Sequence, residues 1–245
     1  MRIQFVGCGD AFGSGGRFNT CFHVAAEGAN FLIDCGATSL VGLKRLHIER
    51  NSIDAIFFSH FHHDHFGGVP FFIEDAQLIA KRTRPLLLAG PPTLPARYAT
   101  MMEAAFPGST QMRLRFPLSF REFAMGEPTA ISPLKVTAFP VRHDDRAGPC
   151  LAYRIEAGGK VLAFSGDTEW TDTLIDAARG ADLFICECYV RDKSWRGHLS
   201  LAVLREKIDL IAPRRVILTH MGEDVLDNPR DIPFETAEDG KIVKL

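Results

Sequence analysis

Along this chain, short apolar runs trade places with amphipathic stretches, and glycine, proline and aspartate mark the joints between them. "RIQFVG", "CFHVAA" and "NFLIDCG" predict strands, with Gly28 and the Ala29-Asn30 pair turning the second into the third. A helical stretch follows over 38–48, then the strand "AIFFSH", a helix over "GGVPFFIEDAQLIAKR", the strand "PLLLAG" and an amphipathic helix in "TLPARYATMMEAAF". In the second half, "LSFREFAM" and "LKVTAFPVRH" alternate in strand fashion, and "CLAYRIEAGGKVLAFSGDT" predicts a hairpin about Gly158-Gly159. The remainder reads as the helix "TDTLIDAARG" capped by Thr171, the buried strand "DLFICECYV", the helix "SLAVLREKIDLI", the strand "RVILTH" and a closing strand in "EDGKIVKL". Hairpins mixed with helices predict an α/β (α+β) architecture. Two sheets should pack face to face with helices outside, rather than form one doubly wound sheet.

Composition narrows the picture. With 245 residues, 46% hydrophobic and 24% charged, the chain has the make-up of a soluble globular protein. No repeat, low-complexity tract or linker-like shift divides it, so one domain over 1–245 is expected. No apolar run approaches the ~20 residues of a membrane span, and "MRIQFVGCGD" reads as an opening strand rather than a signal peptide. The expectation is a cytoplasmic protein without membrane association. Six cysteines (Cys8, Cys21, Cys35, Cys150, Cys186, Cys188) include no CxxC pair and mostly sit in apolar runs, which argues against a disulfide framework. A net charge of -2 disfavours nucleic acid as partner and leaves only small basic clusters such as "KRTR" at 81–84. The apolar, arginine-bearing helix around 98–106 has three readings: a cover for a pocket, a contact with a second subunit in a homodimer, or ordinary core packing.

Candidate chemistry concentrates in "FFSHFHHDHFGG" at 57–68. In an extended segment His60 and His62 point the same way while Phe61 points back into packing. Asp64 and His65 follow where the chain turns toward a helix, and Gly67-Gly68 permits close backbone approach there. Imidazole and carboxylate are ligands suited to zinc, iron or manganese. A histidine-rich surface tract is the alternative, but such tracts are not launched from a buried "AIFF" strand and closed by a glycine pair. His63, off the alternation, should face solvent or support the ligands from behind. Three further strands each deliver one polar residue at the carboxyl end: His143, Asp167 and His220. Singly, each could be hydrogen-bonded or form a turn. Together with the first cluster they supply seven ligands, enough for two adjacent divalent ions.

"SHFHHDHFGG" resembles the HxHxDH signature of the metallo-β-lactamase fold superfamily, and the later His, Asp and His follow that family's order. "VGCGDAFGSGGRFNT" and "AEDGKIVKL" are similar to the first loop and last strand of its ribonuclease Z-like branch. The resemblance implies a four-layer αββα sandwich. It also implies one metal held by His60, His62 and His143, a second held by Asp64, His65 and His220, and Asp167 as bridge. Glu187 in "ICECYV" and His198 in "GHLS" resemble that branch's strand-end glutamate and proton-donating histidine. Their ordinary readings are an ion-paired carboxylate and a residue near the start of the following helix. The implied activity is hydrolysis of a phosphodiester by a metal-bridging hydroxide, with Asp64 taking up the water proton and His198 protonating the leaving oxygen.

The spacing departs from ribonuclease Z proper, which carries a long tRNA-gripping arm between the third histidine and the bridging aspartate. Here little more than one hairpin joins His143 to Asp167, so a small phosphodiester is the expected substrate and RNA cleavage is disfavoured. A thioesterase or lactonase is the alternative enzyme, since the same hydroxide attacks carbonyls. A non-catalytic binding module is disfavoured because all seven ligand positions hold competent residue types.

Overall fold

The alternating runs at the amino terminus pair as an antiparallel meander of β1 (Arg2–Gly7), β2 (Cys21–Ala26) and β3 (Ala29–Ile33). They do so in a computed structural model that describes all 245 residues. The loop between β2 and β3 is Glu27-Gly28, both with positive φ (50° and 86°), and Ala29 and Asn30 already belong to β3. The turn therefore lies earlier than the sequence reading placed it, because a two-residue loop of positive φ matches the twist of its strands.

Helix α1 (Ser39–Arg45) crosses to β4 (Ala55–Phe57), which runs parallel to β3. The short helices α2 (His63–Phe66) and α3 (Val69–Glu74) lead to β5 (Leu86–Gly90), and α4 (Leu94–Ala105) leads to β6 (Leu118–Glu122), again in parallel. The second sheet begins as an antiparallel meander of β7 (Pro128–Ile131), β8 (Leu134–Val141), β9 (Cys150–Ala157) and β10 (Lys160–Phe164). It continues in parallel through α5 (Thr173–Ala178), β11 (Leu183–Glu187), α6 (Leu201–Ile211), β12 (Val216–Thr219), α7 (Glu223–Leu226) and β13 (Glu235–Thr236). Strand β14 (Ile242–Lys244) returns to pair with β1. Each sheet thus has seven strands, ordered β14-β1-β2-β3-β4-β5-β6 and β13-β12-β11-β10-β9-β8-β7.

Period-two alternation sorts the side chains into three apolar layers. Phe5, Phe22 and Phe57 meet Tyr153, Leu162 and Phe164 between the sheets. On the outside of the first sheet, Ile56 and Leu88 lie against Leu43, Phe72 and Met102 from the helices. On the outside of the second, Ala163 and Phe184 lie against Leu174 and Leu204. Each large side chain buried this way contributes roughly 1.5–3 kcal/mol. The result is the αββα sandwich that the sequence implied.

Local differences have local causes. The helix predicted after the glycine pair is divided: α3 runs into a π-helical turn (Asp75–Ile79). There the buried Asp75 carboxylate pairs with Lys44 and Arg50, each at 2.7 Å. Thr171 does not cap α5, which starts at Thr173; its hydroxyl lies 3.2 Å from that of Thr173 instead. Ser200 caps α6, accepting from the Val203 N–H at 3.3 Å. The short strands β7 and β13 were not predicted. Helix α4 buries Leu94 and Met102 against the first sheet, the core-packing reading of that segment. All six cysteines are free and buried. No helix is long and apolar enough to cross a membrane.

Candidate metal centre

The strands that carry the predicted ligands end at one edge of the sandwich. Beyond β4, His60 and His62 leave the chain ahead of α2, His62 in extended backbone, and α2 then brings Asp64 and His65 round to the same side. From the facing sheet, His143 follows β8, Asp167 follows β10 and His220 follows β12. Two backbone features make this convergence fit. A Cβ on Gly68 would stand 2.2 Å from the Gly36 carbonyl oxygen, so only glycine lets the loop after α2 pack on the loop after β3. Gly166 has φ +60° and would meet the Leu151 carbonyl at 2.4 Å, so the turn that aims Asp167 also requires glycine.

Two clusters result. In the first, the His62 Nδ1 lies 3.1 Å from His60 Nε2 and 3.0 Å from His143 Nε2. In the second, Asp64 Oδ2 lies 3.3 Å from His65 Nε2 and 3.1 Å from His220 Nε2. Asp167 Oδ2 joins them: it is 3.2 Å from both His65 Nε2 and His220 Nε2, and 3.9 Å from both His60 Nε2 and His143 Nε2. His63 is exposed and faces the cavity instead.

Whether this donor set fits a cation follows from its protons. The His143 Nδ1 faces the Gly197 carbonyl at 2.7 Å, an atom that only accepts, so Nδ1 carries the proton and Nε2 offers a lone pair. Likewise His65 Nδ1 donates to Asp34 Oδ2 at 2.7 Å, while its buried Nε2 has no hydrogen-bond partner. The buried Asp167 Oδ1 has none either. The lone pair on His143 Nε2, the unpartnered His65 Nε2 and Asp167 Oδ1, and the carboxylates gathered beside them make a donor set that fits divalent metal.

The two clusters differ in charge. Burial depresses the His60, His62 and His143 imidazoles, keeping them neutral and able to coordinate. In the second cluster burial lowers the His65 and His220 pKa values, but the Asp167 and Asp64 carboxylates outweigh it and raise both. These imidazoles in turn hold the two carboxyls well below the usual carboxylate range, so Asp64 and Asp167 are ionised.

Beside the clusters, the buried Glu187 at the end of β11 accepts from His198 Nδ1 at 3.1 and 3.2 Å and from the Thr168 backbone N–H. The His198 ring stacks on His220, with centroids 5.4 Å apart, and lines a cavity of about 570 Å³ over the clusters. Burial lowers the His198 pKa, but the Glu187 carboxylate prevails and pushes it up to about 9.

Two supporting residues, Asp34 and Ser59, escaped the sequence reading. Asp34 ends "NFLID", an apolar strand with one polar residue at its carboxyl end, which is the signal that located the predicted ligands. It also accepts from the Ser59 backbone N–H at 2.7 Å and the Ser59 hydroxyl at 2.8 Å, fixing His65 from behind. Asp34 and His220 both leave their strands with positive φ, 59° and 53°, a conformation costing L-residues about 1–2 kcal/mol.

An αββα sandwich with imidazoles and carboxylates converging where its two sheets meet defines the metallo-β-lactamase class, whose chemistry depends on divalent metal ions. The family model described as "Beta-lactamase superfamily domain" matches residues 29–221. Ribonuclease Z of Treponema denticola is 30% identical, over 98% of this chain and 93% of that protein. The probable metallo-hydrolase YhfI of Bacillus subtilis is 24% identical, over 94% of this chain and 91% of that protein. Among solved structures, the short form of human tRNase Z superposes with a TM-score of 0.81 at 22% identity, covering 100% of this chain and 99% of that one. The chain belongs to the beta-lactamase superfamily and is a metal-dependent hydrolase.

Proposed function

We propose that the protein is a phosphodiesterase acting on a small phosphodiester. In this reading His60, His62 and His143 would hold one divalent ion and Asp64, His65 and His220 would hold a second. Asp167 would serve both. Zinc is the first choice for an imidazole-carboxylate set, with manganese or iron as substitutes. Bound divalent ions supply Lewis acidity toward the phosphoryl oxygens and a water acidic enough to attack at neutral pH. Asp64 takes up the proton of the attacking water. His198, held through Nδ1 by Glu187, presents Nε2–H to the leaving oxygen.

The observation that carries the phosphodiester reading is this buried Glu187–His198 pair beside the clusters, in a chain whose relatives include proteins named ribonuclease Z. A small substrate is favoured over RNA because His143 and Asp167 are joined only by a 3-10 turn and the β9–β10 hairpin, with no protruding arm. Parallel assays of metal-replete protein on bis(p-nitrophenyl) phosphate, a cyclic nucleotide and S-lactoylglutathione test the reading. Diester turnover that disappears in Asp64→Ala is expected, and a preference for the thioester would overturn it. His198→Ala should slow esters of poor leaving groups far more than those of good ones; equal slowing would remove His198 as proton donor.

A further inference from the structure

Phe12 stands on the loop after β1 with 81% of its surface exposed. An aromatic side chain left in water gains nothing for the fold, yet its loop is tightly built. The fully buried Asp10 carboxylate accepts from the Phe12 N–H at 3.1 Å, the Ser14 N–H at 2.9 Å and the Ser14 hydroxyl at 2.6 Å. The Asp10 carbonyl accepts from Asn19 Nδ2 at 2.9 Å. Trp195 is 52% exposed and is held at two points: its carbonyl accepts from the His198 N–H at 3.0 Å, and its ring meets Tyr189 edge-on at 5.5 Å.

These three aromatics share a position. Phe12, Tyr189 and Trp195 line both the cavity over the histidine-aspartate clusters and a second cavity of about 400 Å³ that continues toward Lys193. On the other flank, a recess of about 470 Å³ reached past His62 and His143 is walled only by histidine, aspartate and arginine. The approach to the centre is therefore aromatic on one side and wholly polar on the other.

We propose that Phe12 and Trp195, with Tyr189 behind, form a clamp for a flat ring carried on one ester arm of the substrate, while the polar recess receives the other arm. This rests on the phosphodiester reading of the centre. Stiff loops holding exposed aromatics present ring faces without the entropy cost of ordering them on binding. Stacking on such a face takes any planar ring, whether nucleobase or aryl.

The test is equilibrium binding by calorimetry to the metal-loaded protein, with three phosphate monoesters: adenosine 5′-monophosphate, phenyl phosphate and glycerol 3-phosphate. The ring-bearing esters should bind about 10-fold or more tightly than glycerol phosphate. Phe12→Ala and Trp195→Ala should each erase most of that margin while leaving glycerol phosphate affinity within about twofold, and Trp195→Phe should restore much of it. Preference for the purine over the phenyl ester would assign the clamp to a nucleobase; equal affinity would assign it to planar rings at large. Equal binding of all three esters, or variants that weaken all three alike, would overturn the proposal. Because binding is read and not turnover, ring selectivity without diester hydrolysis would sink the phosphodiesterase reading alone.

Discussion

His23 lies on β2 between Gln4 and Leu32 of the neighbouring strands, almost wholly buried, with neither ring nitrogen in reach of a partner. Burial lowers its pKa below the ordinary 6.5, helped by the nearby Arg2 charge. The folded chain therefore keeps His23 neutral where the unfolded chain would protonate it. Its contribution to stability is complete above pH 6.5 and lost as the pH falls below that value, because only the unfolded state then gains the proton. His23→Leu should accordingly show a smaller fall in Tm between pH 7.5 and pH 5.5 than the parent, measured by thermal melts across that range. A parallel fall in both proteins would show that His23 is solvated in the folded state. In the sequence, "CFHVAA" reads as an ordinary alternating strand, and alternation alone gives no sign that His23 is buried. That follows only once helices are known to cover the outer face, since a sandwich of four layers leaves neither side of a central strand to water.

Arg82 shows how an element can be held by one side chain. It belongs to "KRTR", which reads from sequence as a basic surface cluster, yet it is 1% exposed. Its Nε donates to the Arg84 carbonyl at 2.8 Å, Nη1 to those of Arg50 and Asn51 at 3.3 and 3.4 Å, and Nη2 to that of Ile53 at 2.7 Å and that of Pro85. One guanidinium thus ties the chain entering β4 to the chain entering β5, with its charge resting near the Phe116 ring. Arg82→Met keeps the apolar stem but leaves those carbonyls unpaired, and should cost on the order of 3 kcal/mol in chemical denaturation. A loss below about 1 kcal/mol would mean that water replaces the guanidinium. At this scale, apolar strands ending in a single histidine or aspartate were legible because periodicity and a strand-end polar residue are both local signals. Asp34 obeys the same rule and could have been found by it. The boundaries of α1, the π-helical turn after α3 and the aromatic wall of Phe12, Tyr189 and Trp195 were not legible. They depend on what packs against them from elsewhere in the chain.

Across the whole molecule, the proposed ligands join the two halves of the sandwich. His60, His62, Asp64 and His65 come from the sheet of β1–β6, whereas His143, Asp167 and His220 come from the sheet of β7–β13. Each cluster draws on both sheets, so ions bound there act as cross-links across the top of the interface between them. The unfolded chain has no such site to offer, and ligand affinity for the folded state alone adds to its stability. At a free metal concentration near a thousand times Kd this amounts to about 4 kcal/mol per ion, which for a chain of this size is a shift in Tm on the order of 10 °C. Stripping the protein with a chelator, with removal verified by elemental analysis, should lower Tm by that order, and returning zinc should restore it. Asp167→Asn should reduce both the metal content and the size of the shift, because the oxygen common to the two clusters loses its charge. The apolar layer between the sheets, from Phe5 to Phe164, is untouched by the chelator, so the stripped protein should remain folded at room temperature. Should Tm stay fixed after the metal is shown to be gone, the two sheets owe nothing to the centre, and its residues would be held in place by the apolar layers alone.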